Sequence, residues 1–566
     1  MRKSWIGWVL LLAFALTGCK TIPQDLSSSP GENNEENLES SVIMTTESLE
    51  TTIKDSTETT APDSSNPTGN PSSSTTTTKP PDNIFTQAIS NRLTGNFKTD
   101  PLKATGDLYA ETYRPQVHYS AKTGWFNDPN GLVYYEGEWH LFYQHNPTSN
   151  MFGYCYWGHA VSKDLVHWEE LPVAISPTEK YQIWSGSAVV DEHDTSGFFG
   201  GGSGLVAIFT YADQQTNQSI GIAHSADKGR TWTRVSRPVL YTDGDKAFRD
   251  PKVFWHEESG KWIAVIAGGQ VRFYSSPNLK DWTLESRNSI WTECPDFFPL
   301  KVEGTNETLW VLNMAGEGYV VGTFDGKSFT PIQEQVKYAV SPDRYAAQTF
   351  YNAPDGRRIE INWMGNWKYA NDFATLLPGN GVMTLPVELK LEKENGKYRL
   401  LRTPVKEIDT LRGEHVFSCG SGLLKESSQN PFDGIEGKTL DIQIKFKPSG
   451  QEKLGFRLRA GSGQEVVVGY DAGSQQLYLD RSKTVTKIKD FSRQYSAGVQ
   501  PDADGFVELR IILDWSGLEV YANRGEALIS ALILPDQEAQ KVEVFVEGGT
   551  AQIVSAEAYR LVSIHQ

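Results

Sequence analysis

The chain has 566 residues, a formal net charge of -17 and four cysteines. The acidic balance excludes the clustered basic surface that a nucleic-acid partner requires, and four thiols in so long a chain cannot form a disulfide framework. No HExxH, CxxC or P-loop run is present, which sets aside zinc-protease, thiol-redox and nucleotide-cleaving chemistry.

Met1-Arg2-Lys3-Ser4 opens on two cations, and an apolar run of 12 residues follows from Trp5 to Leu16. A membrane-spanning helix needs about 20 apolar residues, so this run is too short to be one. A basic start with a short apolar core predicts a secretory signal over residues 1–18. It ends in Leu16-Thr17-Gly18-Cys19, which resembles the bacterial lipoprotein box. That resemblance implies cleavage before Cys19 and a diacylglycerol on its thiol. The chain would then meet a membrane through its N-terminal lipid only, on the extracellular face of a bacterial cell. Residues 21–80 hold no aromatic residue and close on Ser72-Ser73-Ser74-Thr75-Thr76-Thr77-Thr78-Lys79-Pro80. Such a composition cannot bury enough apolar surface to offset its conformational entropy, which predicts a disordered stalk over residues 19–82.

From about residue 114 to 366 the sequence repeats itself in five hairpin-like units. Their first strands open at Asp128-Pro129-Asn130-Gly131, Ser185-Gly186-Ser187, Asp250-Pro251-Lys252, Glu293-Cys294-Pro295 and Tyr345-Ala346-Ala347. Three units add a second marker, a Ser-x-Asp or Ser-x-Asn turn ahead of Trp168, Trp232 or Trp282. Short strands and Gly turns recurring every ~40–50 residues are the pattern of a β-propeller, with five copies predicting five blades over residues 83–395. In a propeller the first strand of each blade lines the central channel. Asp128, Asp250 and Glu293 stand at equivalent repeat positions, so the fold would gather them at one channel mouth.

Two carboxyl groups are what glycosidic hydrolysis needs: one to attack or stabilise the anomeric carbon, one to protonate the leaving oxygen. A third can grip sugar hydroxyls. Trp125, Phe126, Trp157, Trp184, Trp363 and Trp367 flank the candidate segments and offer apolar faces to a sugar ring. Neither a cofactor nor a metal is expected. Cys294 is expected to be a buried, inert thiol, and His159 to satisfy a hydrogen bond inside a blade.

Trp125-Phe126-Asn127-Asp128-Pro129-Asn130-Gly131, Phe248-Arg249-Asp250-Pro251 and Glu293-Cys294-Pro295 resemble, in order, the three signatures of glycoside hydrolase family 32. The family includes levanases, inulinases and invertases. The resemblance implies a five-bladed propeller followed by a β-sandwich, a retaining mechanism, and a fructan or fructose-containing oligosaccharide as partner. It implies Asp128 as nucleophile, Glu293 as general acid/base and Asp250 as transition-state stabiliser. Arg249 would stand beside Asp250, with Asn127, Gln144, Trp184, Ser185 and Trp367 binding substrate. Hydrogen-bond donors are expected to hold Asp128 ionised. The sequence departs from the family at Phe126, where Met is usual, and at Thr375-Leu376-Leu377-Pro378-Gly379-Asn380, where a P-T-x-x-W-R run often stands. The second departure bears on the leaving-group side.

After Pro386 the pattern changes to period-2 alternation, as in Leu440–Phe446, Val507–Leu513 and Val542–Val546. Alternation between turn-rich gaps predicts a β-sandwich over residues 396–566, packing against the propeller. The alternative to an enzyme is a non-catalytic fructan-binding surface lipoprotein on the same scaffold. A binder needs no general acid, so retention of all three acids argues against it. A propeller adhesin for a protein partner would need none of them.

Overall fold

A computed structural model describes residues 101–565, apart from 104–105, 214, 216, 243, 246, 339–340, 375–378, 485–487 and 492. The expected signal, Cys19 and the stalk lie outside the described residues. Among the described residues no helix is long and apolar enough to cross a membrane. Strands dominate, interrupted by the 3₁₀ turns Ala370–Phe373 and Lys406–Leu411.

Five antiparallel sheets of four or five strands follow one another from Trp125 to Pro404. Their first strands are Trp125–Tyr135, Tyr181–Asp191, Arg249–His256, Pro295–Lys301 and Tyr345–Thr349. Each touches the first strand of the next sheet, and the fifth returns to the first. A parallel bridge between Val133 and Tyr351 completes the ring, with the Tyr351 N–H donating to the Leu132 carbonyl at 2.9 Å. This is the five-bladed propeller that the repeat predicts. Because each blade lies between two others, its inner strands bury both faces and read as continuous apolar runs. Trp157 and Phe209, for instance, fill the space between the first two blades. The fourth strand of the first blade, Trp168–Ile175, is mostly exposed or half-buried.

The fifth sheet continues through Lys397–Pro404, so the propeller runs past the residue-395 boundary expected from sequence. Glu394 and Lys397 pair across a two-residue hairpin, Asn395-Gly396. Both loop residues have positive φ, 49° and 80°, as the tight turns that match strand twist require. The turn therefore lies within a sheet rather than between modules.

Beyond Lys406–Leu411 two sheets pack face to face. One runs in the order Arg412–Cys419, Thr550–Leu561, Leu440–Lys447, Val507–Leu513, Gly517–Ala522, Ala527–Leu532, with Gly422–Lys425 pairing Thr550–Leu561. The other runs Gln494–Gly498, Gln476–Lys483, Gln464–Asp471, Lys453–Gly461, Lys541–Glu547. Alternate side chains such as Ile442, Ile444, Phe456 and Val468 fill the layer between them. This is the predicted sandwich. Its Ile512, Tyr521 and Leu528 join one apolar core with Leu389, Leu400 and Ile408 of the propeller side. Buried Asp514 adds a polar clamp, accepting from the Gln116 and Val117 N–H groups at 2.8 and 3.0 Å and facing His118 Nδ1 at 2.8 Å.

Candidate active site

Four of the five first strands break register at the same place. Phe126 faces His145 and Pro129 faces Tyr143, so Asn127 and Asp128 together oppose Gln144. Ser185 is the extra residue between Trp184 and Gly186. Asp250-Pro251 opposes Ile266, and Ala346-Ala347 opposes Asn362. In the remaining blade Cys294, just ahead of its strand, takes φ 40°, close to the 57° of Asp250 and 54° of Ala346. Such bulges re-aim a side chain and concentrate strain where it serves a site. Gly186 follows from the same geometry: a Cβ there would fall 2.1 Å from the Ile208 carbonyl oxygen.

Asp128 is buried and held from both sides. Its Oδ1 accepts from Asn127 Nδ2 at 2.9 Å, and its Oδ2 from Ser185 Oγ at 2.9 Å. The orientation of Asn127 is set by Trp125, whose Nε1–H donates to Asn127 Oδ1 at 2.7 Å. That bond assigns the carbonyl end of the amide and turns its nitrogen toward Asp128. Burial nevertheless lifts the Asp128 carboxyl above the usual range; the Asn127 and Ser185 bonds oppose the rise, and the charge of Glu293 adds to it. The donors expected to keep Asp128 ionised are therefore present, but burial outweighs them.

Cys294 joins the other two acids to the first. Its thiol is buried, 3.6 Å from Asp128 Oδ2 and 3.7 Å from Asp250 Oδ2. Its backbone N–H donates to Asp250 Oδ2 at 3.0 Å. Burial, then the charges of Asp250 and Asp128, push the thiol up, so it stays protonated and shares a weak S–H between two carboxylates. The thiol is buried and held protonated, as an inert thiol would be, and its sulfur also sits between two of the three acids.

Glu293 precedes Cys294 and is gripped by two donors. Tyr345 donates its hydroxyl to Glu293 Oε2 at 2.5 Å, and Arg249 Nη2 donates to Oε1. Arg249 Nε also lies 3.7 Å from Asp250 Oδ2, so one guanidinium spans two acids. The spacing of their strands is fixed from beneath. Buried Lys252 pairs with Asp296 Oδ1 at 2.6 Å and donates to the Thr349 carbonyl at 2.9 Å, tying together the strands that begin near Asp250, Glu293 and Tyr345.

The structure thus brings together Asp128, Asp250, Glu293, Asn127, Ser185 and Arg249. Gln144 faces the Asn127–Asp128 bulge, and its buried Nε2 has no hydrogen-bond partner among the described residues. Trp184 is buried directly before Ser185. Trp367 packs on Trp125, Phe152 and Trp363, with ring centroids 5.8, 5.2 and 4.9 Å away. Sequence reasoning missed Tyr345, although it opens the fifth repeat where Asp128, Asp250 and Glu293 open theirs. His159 faces His140 Nδ1 through Nε2 at 3.0 Å inside the first blade, the bland role expected of it.

Asp250 is expected to give the site a pH dependence. Burial raises its carboxyl to about 6; the Arg249 guanidinium and the Cys294 N–H oppose the rise, and the charges of Glu293 and Asp128 add to it. As pH falls through that value the carboxylate takes a proton and can no longer accept hydrogen bonds as an anion. We expect kcat/KM to fall below about pH 6, and Asp250→Asn to be slow throughout without that limb. Profiles between pH 4.5 and 8 check this; an acid limb near the ordinary carboxyl value of about 4 would contradict it.

Three carboxyls, amide and hydroxyl donors and indole rings at the mouth of a propeller are the equipment of a hydrolase of O-glycosyl bonds. Residues 118–404 match the model of the glycosyl hydrolases family 32 N-terminal domain, and residues 407–560 that of the family 32 C-terminal domain. The chain is 40% identical over 496 residues to a levanase of Bacillus subtilis (strain 168), covering 82% of this chain and 72% of that protein. The crystal structure of an exo-inulinase from Aspergillus awamori superposes with a TM-score of 0.76 at 32% identity, covering 81% of this chain and 99% of the other. A fructofuranosidase of Schwanniomyces occidentalis complexed with fructose gives 0.71 at 27%, covering 81% and 100%. The chain belongs to glycosyl hydrolase family 32.

Proposed function

We propose that this protein is a retaining β-fructofuranosidase that releases fructose from levan, inulin or sucrose, held by a lipid on Cys19 at the extracellular face of a bacterial cell membrane. One observation carries the chemistry: Asp128 and Asp250 lie on either side of the Cys294 thiol, with Glu293 next to it in the chain. Asp128 attacks the anomeric carbon of the fructosyl unit. Oδ2 accepts from Ser185 and weakly from the Cys294 thiol, whereas Oδ1 accepts from Asn127 alone and keeps a lone pair for the new bond. Glu293 protonates the departing oxygen and later removes a proton from the attacking water. Tyr345 and Arg249 each hold one of its oxygens, which fixes the direction of proton transfer. Asp250 accepts hydrogen bonds from ring hydroxyls, and these strengthen as positive character develops at the anomeric carbon. The free Nε2 of Gln144 and the indole of Trp367 fit hydroxyl binding and ring packing respectively.

Incubation with levan, inulin, sucrose and an arabinoside tests the reading. Fructose should appear from at least one fructoside and no arabinose from the arabinoside. Tight fructan binding with no fructose released would instead identify a binding protein.

The anchor has its own test. Loss of the thiol in Cys19→Ser should stop lipoprotein processing and move most of the protein out of the membrane fraction, since a diacyl group supplies the two chains that stable attachment needs. A variant still cut before residue 19 and still sedimenting with membranes would defeat the proposal.

A further inference from the structure

Besides Asp514, the sandwich sends a cation into the interface with the propeller. Arg481, on the strand Gln476–Lys483, is fully buried. Its Nη1 donates to Asp343 Oδ2 at 2.5 Å and to the Leu532 carbonyl at 2.7 Å. Its Nη2 donates to the Tyr369 hydroxyl at 2.6 Å, and its Nε to the Phe491 carbonyl at 2.9 Å. Tyr369 in turn donates to Asp343 Oδ1 at 2.6 Å. Guanidinium, carboxylate and phenol close a triangle away from water. A buried ion pair is weak evidence for stability, because desolvation offsets the attraction. What sets this one apart is where its two propeller ends lead.

Asp343 stands two residues before Tyr345, whose hydroxyl holds Glu293. The edge strand Ala527–Leu532 of the sandwich grips the segment leading to it. The Asp343 N–H donates to the Ser530 carbonyl at 3.2 Å, the Ser530 N–H to Ser341 Oγ at 2.7 Å, and the Leu532 N–H to Asp343 Oδ2 at 2.8 Å. Tyr369 stands two residues after Trp367, which packs on the Trp125 ring that orients Asn127. Asn366 Nδ2 donates to the Pro342 carbonyl at 2.8 Å and laces the two segments together. One sandwich side chain therefore bears on the residue that holds the proposed acid and on the indole that neighbours the proposed nucleophile.

We propose that Arg481 is a positioning residue for catalysis, so that the sandwich completes the reacting geometry of the propeller. The inference rests on Glu293 being the proton donor. Catalytic groups must be held to within about 0.5 Å, and a 1 Å misplacement can cost on the order of 10²-fold. A displaced acid harms a poor alkoxide leaving group most, whereas an activated aryl leaving group tolerates it.

The test uses the full chain in two variants. Tyr369→Phe removes one hydroxyl and keeps the ring against Phe373 and Phe491, with centroids 5.5 and 5.4 Å away. The pair Arg481→Met with Asp343→Asn removes both charges and leaves neither buried alone. For each, kcat/KM is measured on sucrose and on an aryl fructoside. The aryl-to-sucrose ratio should rise about tenfold or more in the pair and several-fold in Tyr369→Phe, on the scale of a sub-ångström displacement. Adding Glu293→Ala should abolish that further change in the ratio, because leaving-group sensitivity reports on Glu293, which both variants reach through Asp343 and Tyr345. A purely structural role lowers the folded fraction and both rates alike; an unchanged ratio in Tyr369→Phe overturns the inference even if the pair does not fold. If the wild-type chain releases no fructose, the enzymatic reading itself fails; if it does and the ratio stays fixed, only the role of Arg481 fails.

Discussion

Asp128→Ala should abolish turnover of every fructoside, whatever its leaving group. The expected fall in kcat/KM is about 10⁴-fold or more, the scale on which loss of a nucleophile acts. No neighbouring group can replace it. Asp250 is turned toward the Cys294 N–H and Arg249, and Glu293 is held by Tyr345 and Arg249. The fold should survive, because Trp125, Phe126 and Pro129 keep their cross-strand partners on either side of the bulge. Removing the carboxylate frees the Asn127 and Ser185 donors, and water can satisfy them in the space left behind. Circular dichroism should match the wild type, while sucrose and an aryl fructoside are both inert. Activity above about 1% of wild type on either substrate would assign the nucleophile elsewhere; it would exceed by far the remnant that such a loss leaves.

Much of this arrangement is legible in the sequence because a propeller repeats. Five copies of one strand start, three of them opening on an acid, specify both the ring and the place where Asp128, Asp250 and Glu293 converge. Tyr345 occupies the same register and was equally visible; it is passed over by a search for carboxyls, although a hydroxyl there can hold one. Cys294 is legible as a neighbour of Glu293 but not as a contact of Asp128, since a positive φ and a neighbouring blade set that contact. The end of the propeller is misread at Asn395-Gly396 because a two-residue turn ends a strand without ending a sheet. Least legible is the triangle of Arg481, Asp343 and Tyr369. Its members lie 138 and 112 positions apart, on two modules with no shared period, and only the packing of one module on the other brings them together.

Glu293→Ala separates the second acid from the first. Removing the proposed proton donor should cost about 10²–10⁴-fold on natural sugars, whose alkoxide leaves poorly without a proton. An aryl fructoside needs less protonation, so formation of the fructosyl-enzyme on Asp128 should be partly spared. The second half of the reaction should then fail, because Glu293 is also the proposed base for the attacking water, and the covalent ester should accumulate. Azide, already an anion, needs no base. Its terminal nitrogen forms a bond to the anomeric carbon as the bond to the Asp128 oxygen breaks, returning the carboxylate and giving β-fructosyl azide. The loss of the Glu293 carboxylate also removes a negative charge that would repel azide, and Arg249, freed from Glu293 Oε1, remains as a cation beside its path. Product analysis on an aryl fructoside, with and without azide, reads this directly. Rescue to a β-configured product in Asp128→Ala, with none in Glu293→Ala, would exchange the two assignments. Rescue in neither, with no fructosyl ester found on Asp128 in Glu293→Ala, would mean that the reaction does not run through that ester.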